Sequence, residues 1–270
     1  MLGSPEVMRG DDMSRVPILT SLLVVACACA CAGAAPPRDA SASAGGARPA
    51  DPVRSQVPEA ARRTNAFLEE GRLADARASL EEELASARRE GNANFELGSR
   101  FRGAWMEAEL GDLAAAEAHV DALLGRLPTA SLTAARHDHM RAAALTARVR
   151  ILAGQGQFEA ARQVADEVRR LSEARGNEGD LLVLETVLMW TETRAGRLDA
   201  ALAHAAKAPP DFVLAPFYEA ALRDRTGERD AAVRLRATVV EFADCDFFCV
   251  LVRRRAANGG EDLDRANSAR

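Results

Sequence analysis

A six-residue pattern occurs five times in this chain and restricts the folds that are open to it. Each copy begins with glycine and ends with alanine: GRLADA at 71–76, GDLAAA at 111–116, GQFEAA at 156–161, GRLDAA at 196–201 and GERDAA at 227–232. The glycines are 40, 45, 40 and 31 residues apart. A motif that returns at such intervals is typical of proteins in which one small structural unit is stacked several times.

The residues on both sides of each glycine have the periodicity of helices. Around Gly156, the apolar residues at three- and four-residue steps are Leu145, Val149 and Leu152 before it and Phe158, Ala161, Val164 and Val168 after it. A glycine can turn the chain, and an alanine lets two helices approach closely. Aromatic residues make up only 4% of the chain, which also favours packed helices over a β-sandwich. The pattern predicts an antiparallel helix pair around each glycine.

The repeated unit resembles the tetratricopeptide repeat, a helix–turn–helix with glycine at the turn and alanine early in the second helix. The second copy matches best, from Ala104 through Gly111 and Ala116 to Val120 and Pro128, where the proline ends the second helix. The periods of 40 and 45 residues exceed the family's usual period of about 34 residues. The resemblance covers about residues 58–243 and implies an all-α solenoid of about five antiparallel helix hairpins. An irregular helical bundle is the alternative.

An apolar segment, CDFFCVLVRRR at 245–255, follows the fifth copy. The last unit of a stack exposes its core face, so we predict that this segment caps the open end. The helical-repeat domain is then 58–256, and the polar residues 257–270 form a flexible tail.

Cys245 and Cys249 lie four residues apart within this segment. On a helix their α-carbons would be about 6 Å apart, in the upper part of the range that a disulfide accepts. In an oxidising compartment the two cysteines could form a bond that holds the cap in place. The alternative is a pair of buried free thiols, which the strained helical geometry favours.

The first 32 residues have the features of an export signal. The apolar stretch 16–26 has 11 residues, whereas a bilayer-spanning helix needs about 20. The sequence LVVAC at 23–27 resembles a bacterial lipobox, which implies that Cys27 receives a lipid. An ordinary cleaved leader and an uncleaved anchor or cytoplasmic start are the alternatives. The segment 33–57, rich in Pro, Gly, Ser and Ala, is predicted to be a disordered linker. These features favour an exported, lipid-anchored protein on the periplasmic side of the bacterial cell envelope.

Both tryptophans lie six residues before the turn glycine of their units. The first helices of a tetratricopeptide stack line its concave groove, so the resemblance implies that Trp105 and Trp190 contact a peptide there. Phe101 shares a helix face with Trp105 and joins this set. The alternative is that these side chains pack between neighbouring helix pairs.

The sequence favours binding over catalysis. There is no Cys-x-x-Cys and no phosphate-binding glycine loop, and His137 and His139 would point in different directions on a helix. We therefore predict no metal, no cofactor and histidines that are solvated. The net charge of −5 does not favour nucleic-acid binding.

The predicted function is a non-catalytic scaffold that binds peptides or partner proteins at the bacterial envelope. This step follows from the resemblance, because repeats of this kind present an extended groove. The alternative is a cytoplasmic regulatory module that senses a peptide or a small ligand.

Overall fold

The computed structural model describes residues 59–242 and 247–257, which are all-α. The helices in these ranges are α1 Glu59–Glu70, α2 Leu73–Arg89, α3 Ala93–Leu110, α4 Leu113–Arg126, α5 Ala134–Gly154, α6 Phe158–Glu173, α7 Glu178–Arg194, α8 Leu198–Ala205, α9 Leu214–Arg225, α10 Arg229–Glu241 and α11 Phe247–Ala257. A short 3-10 turn, Leu127–Thr129, follows α4 and contains Pro128. Within the described ranges there is no β-strand, and the prediction of an all-α chain is confirmed.

The first ten helices pack as five pairs in chain order: α1 with α2, α3 with α4, α5 with α6, α7 with α8 and α9 with α10. From α3 to α9, the first helix of each pair also packs against the first helix of the next. The alanine that ends each motif has an exposure of 0% at Ala76, Ala116, Ala161, Ala201 and Ala232. A small side chain at this position lets the helices of a pair approach closely.

The motif glycine ends one helix and allows the next to begin two residues later. All five motif glycines have positive φ, and at Gly111 the value is +88°. The amide of Asp112 donates to the carbonyl of Glu107 at 2.9 Å, and the Asp112 side chain accepts from the amide of Ala115 at 3.1 Å. This geometry satisfies the last carbonyls of α3 and the first amides of α4. The predicted turns are confirmed.

Substitutions at two glycines separate the effect of the turn from the effect of helix propensity. Gly156 has φ +78°, and an added Cβ would meet nothing within 4 Å. Gly156→Ala should therefore lower the free energy of unfolding by about 1–2 kcal/mol through backbone strain alone. Gly125 lies inside α4 with equal space around it, so Gly125→Ala should raise that free energy by about 0.5–1 kcal/mol. Urea unfolding measures both, and shifts of the same sign would contradict this account of the turn.

A buried carboxylate joins the first two helix pairs. Glu83 on α2 is 0% exposed. It accepts hydrogen bonds from Thr64 on α1 at 2.6 Å and from Ser99 on α3 at 3.1 Å, and it pairs with Arg102. A buried carboxylate requires hydrogen-bond donors, and here α1 and α3 supply them. These polar contacts connect α2 to both helices.

The C-terminal helix α11 packs against more helices than predicted. It packs against α9 and α10, as expected of a cap on the last pair, but it also packs against α1 and α3. The prediction that this segment caps the open end of the stack therefore describes only part of its contacts. The helix connects the last helix pair with the first two.

Several predictions fall on residues outside the described ranges. These residues are the signal region 1–32 with Cys27, the linker 33–57, the tail beyond 257 and Cys245. In the ranges that are described, none of the helices combines the length and the apolar character that a membrane span requires.

Candidate functional site: the seat of the C-terminal helix

The candidate site is the set of residues that holds α11, which we call the α11 seat. Its members come from the first two helix pairs and from the last one. They are Gly71, Phe101, Trp105, Glu109, Phe212 and Phe217. The seat therefore exists only because the helix pairs bring these distant positions together.

An aromatic cluster holds the first turn of α11. The ring of Phe248 packs edge-on against Phe101 at 6.1 Å, Trp105 at 5.2 Å and Phe212 at 5.4 Å between ring centroids. Edge-to-face aromatic pairs contribute about 0.5–1.5 kcal/mol each beyond the area that they bury. Phe248 is therefore the apolar anchor of α11.

Three consecutive arginines in the last turns of α11 each lie at the C-terminal end of another helix. Arg253 donates to the carbonyl of Phe242, directly after α10. Arg254 lies against Gly71, directly after α1, and Arg255 donates to the carbonyl of Glu109 in the last turn of α3 at 2.7 Å. Positive charge is favourable at a helix C-terminus, where carbonyls lack intrahelical partners. Arg253, Arg254 and Arg255 therefore lie at the C-terminal ends of α10, α1 and α3, respectively.

Glu109 is the centre of the polar half of the seat. One carboxylate oxygen accepts from Arg150 Nε at 2.8 Å and from the Tyr218 hydroxyl at 2.6 Å. The other accepts from Arg255 at 2.7 Å. The side chain of Glu109 is 1% exposed and that of Arg150 is 4% exposed. This cluster connects α3, α5, α9 and α11, and its α11 member, Arg255, keeps 15% of its side chain exposed.

The charges of the cluster determine its protonation. Burial alone would raise the pKa of Glu109, but the guanidinium groups of Arg150 and Arg255 outweigh it, and the pKa is lowered. Burial, together with the Glu109 carboxylate, raises the pKa of Tyr218. Glu109 is therefore ionised and Tyr218 protonated near neutral pH. Because both oxygens of Glu109 already accept hydrogen bonds, the arrangement is suited to holding helices together and not to proton transfer.

The side chains predicted to line a groove are all buried. Phe101 is 8% exposed, Trp105 is 0% and Trp190 is 2%. Phe101 and Trp105 meet at 6.3 Å and share Phe248 as a neighbour, whereas Trp190 lies 3.5 Å from the Arg150 guanidinium and 5.8 Å from Tyr218. Binding of a partner by these residues stays a prediction. In this conformation α11 covers two of them.

The histidines are more engaged than the sequence suggested. Nδ1 of His139 lies 3.0 Å from buried Asp180, and Nδ1 of His204 lies 2.6 Å from Glu185. The prediction that the histidines are merely solvated is wrong for these two, because each faces a carboxylate of α7 across a helix interface. In the ranges that the structure describes, no three His, Cys, Asp or Glu residues are grouped so as to hold a metal ion.

Cys249 is fully buried on α11 and is disulfide-bonded. The alternative of a free thiol therefore does not hold for this residue. Cys245 lies outside the described ranges, so its pairing with Cys249 stays a prediction.

Sequence reasoning missed the polar half of the seat. Glu109, Arg150 and Arg255 are of a type that is usually solvated on helices. The available signals were weak: Tyr218 is the only tyrosine of the chain, and Arg150 lies between Val149 and Ile151. Nothing in the local pattern of Arg255 indicates a contact with a residue 146 positions earlier.

Comparison of the chain with protein-family models, with curated proteins and with solved structures finds no match.

Proposed function

We propose that this chain is a non-catalytic helical-repeat protein, a solenoid of tetratricopeptide type, that binds peptides or partner proteins. Support comes from the five motif copies, which share a positive-φ glycine and a fully buried alanine. The side-by-side packing of first helices from α3 to α9 is the arrangement in which such repeats form an extended surface.

The observation that carries the proposal is the way in which the seat holds α11. Phe101 and Trp105, two of the three residues predicted to line the groove, are the ones that pack against Phe248. A groove usually binds a helix through apolar anchors spaced along one helix face. The chain thus has a site whose shape and charge fit a helical segment.

Capture from cells tests the proposal. The protein starting at residue 33, immobilised through a tag placed before that residue, is exposed to detergent extract of the source cells. An unrelated helical-repeat protein of similar charge serves as the control bait. We expect at least one polypeptide to be retained in stoichiometric amount by this chain and not by the control. Equal recovery on both baits contradicts a binding function.

We further propose that the protein is exported and anchored to the bacterial envelope through a lipid on Cys27. The lipobox-like sequence supports this, and so does the disulfide at Cys249, since disulfides persist in oxidising compartments. The linker 33–57 would then separate the helical domain from the membrane surface.

Labelling with a radioactive fatty acid tests the anchor. The wild type should incorporate label, Cys27→Ala should not, and Cys29→Ala should retain the label because the residues before Cys29 lack the lipobox-like pattern. Label that persists in Cys27→Ala contradicts lipidation at Cys27. Label that is missing from all three proteins contradicts a lipid anchor and leaves a cleaved leader or a cytoplasmic regulator.

A further inference from the structure

We propose that α11 is an internal competitor for the binding site, and that the partner is a helix with an aromatic residue followed seven positions later by an arginine. This inference rests on the proposed function and adds to it the chemistry of the partner. It also adds a condition for binding, which is that α11 must leave its seat.

The spacing of the two recognition residues follows from α11 itself. Phe248 and Arg255 are seven residues, or nearly two turns, apart and therefore lie on one face of the helix. Val252, between them on the same face, is 0% exposed. An external helix needs the same three features to replace α11: an aromatic anchor, a small apolar residue and an arginine.

The seat is complementary to such a helix at both ends. At one end, Phe101, Trp105 and Phe212 surround a single aromatic ring. At the other end, Glu109 offers a carboxylate oxygen and a main-chain carbonyl, each 2.7 Å from the same guanidinium nitrogen of Arg255. A cationic side chain that donates two hydrogen bonds from one nitrogen, as Arg255 does, therefore suits this end.

Two buried donors at the contact between α11 and the seat are unsatisfied in the part of the chain that the structure describes. Nε1 of Trp105 and Nε of Arg253 are buried and meet no acceptor among the described residues. A buried donor without an acceptor costs free energy, and this cost weakens the packing of α11 in its seat. A partner helix with a hydroxyl or amide oxygen near the Trp105 indole would remove this deficit and could therefore bind more tightly than α11 does.

Attachment to the chain compensates for this deficit. A tethered segment competes at an effective concentration of about millimolar for a short connection. Only residues 242–246 separate the end of α10 from the start of α11. A free helix of the same composition must therefore outcompete α11, and weakening α11 should make the seat accessible.

A binding experiment on the full chain tests the competition. The probe is a fluorescent peptide with the sequence of α11, residues 247–257, in which serine replaces Cys249. Binding is measured by anisotropy to the wild type and to the double variant Phe248→Ala/Arg255→Gln. We expect the peptide to bind the double variant at least about ten-fold more tightly than the wild type, because the tethered competitor is weakened. Equal affinities for the two proteins contradict the inference.

Two altered peptides test the recognition residues. The peptide with Arg255→Gln should lose about ten-fold or more in affinity for the double variant, because it cannot pair with Glu109. The peptide with Arg254→Gln has the same net charge as the Arg255→Gln peptide. It loses an exposed side chain that lies against Gly71 but pairs with no carboxylate among the described residues, so its affinity should change by less than about three-fold. Equal losses from the two peptides would show attraction by net charge alone and overturn the assignment of Arg255.

Circular dichroism shows whether the double variant remains folded. If it does not, the milder pair Phe248→Leu/Arg255→Lys provides the same comparison, with the same expected order of affinities. Failure of the peptide to bind any of these proteins overturns the inference. The proposed function is decided separately by capture from cell extract, because a partner could bind another surface of the chain.

Discussion

Glu109→Gln is expected to lower the free energy of unfolding by about 3–5 kcal/mol, because removal of one member of a buried ion pair leaves its partners uncompensated. The substitution preserves the size of the side chain but removes the charge that faces Arg150 and Arg255 at 2.8 and 2.7 Å. Two guanidinium groups would then be buried, or nearly so, beside a neutral amide. Urea unfolding at neutral pH measures the loss.

Glu159→Gln is the matched control for this prediction. The Glu159 side chain is 72% exposed and pairs with Arg162 on the same helix. Its substitution should change the free energy of unfolding by less than about 0.5 kcal/mol. A loss of similar size in both variants would mean that the Glu109 cluster contributes no more than a surface pair.

The contribution of Glu109 should depend on pH in one direction. Its pKa is lowered in the folded protein, so its ionisation stabilises the fold at pH values above the unfolded-state pKa of about 4.3. That contribution is lost as the pH falls through the lowered folded-state pKa. The difference in stability between wild type and Glu109→Gln should therefore be constant near neutral pH and shrink in acid. A difference that grows in acid would contradict this protonation state.

Trp105→Ala is expected to cost about 3–5 kcal/mol of stability, the range for truncating a large buried aromatic residue. Trp105 is 0% exposed and packs against both Phe101 and Phe248, so the cavity would lie between α3 and α11. Release of α11 should follow. Limited trypsin digestion should cleave faster at Arg253, Arg254 and Arg255 in the variant, with the loss of stability measured in urea.

Leu73→Ala is the control for Trp105→Ala. Leu73 is apolar but 38% exposed at the start of α2, so its truncation should cost less than about 1 kcal/mol and leave the rate of cleavage in α11 unchanged. A loss below about 1 kcal/mol in Trp105→Ala, or unchanged proteolysis, would show that the aromatic cluster does not hold α11.

The repeated part of the fold was predictable from sequence because its determinants are local. In each copy of the motif, the positive-φ glycine lies in the turn, and the alanine five residues later lies in the helix that follows. Gly111 and Ala116 adopt the expected roles, as do their counterparts in the other four copies. Apolar periodicity reports which face of a helix is buried, and this information does not depend on distant parts of the chain.

The seat of α11 was not predictable because its determinants are far apart in the sequence. The apolar character of Phe247, Phe248 and Leu251 predicts burial, but it does not distinguish the last helix pair from the first two. The identity of the acceptors for Arg253 and Arg255 depends on which helix ends lie nearby after packing. The buried roles of Glu109 and Arg150 depend in turn on these arginines and on Tyr218, so local patterns cannot reveal them.

The position of α11 has a consequence for how the chain folds and unfolds. Helix pairs that touch only their neighbours can unfold one after another from either end, since each interface is lost independently. Arg255 and Glu109 are 146 residues apart in sequence, and their contact couples the first pairs to the last one. We therefore expect one sharp transition on denaturation, and a slower folding rate than local helix pairs alone would have, because a long loop must close. Release of α11 would convert the chain from a single cooperative unit into one that frays from its ends.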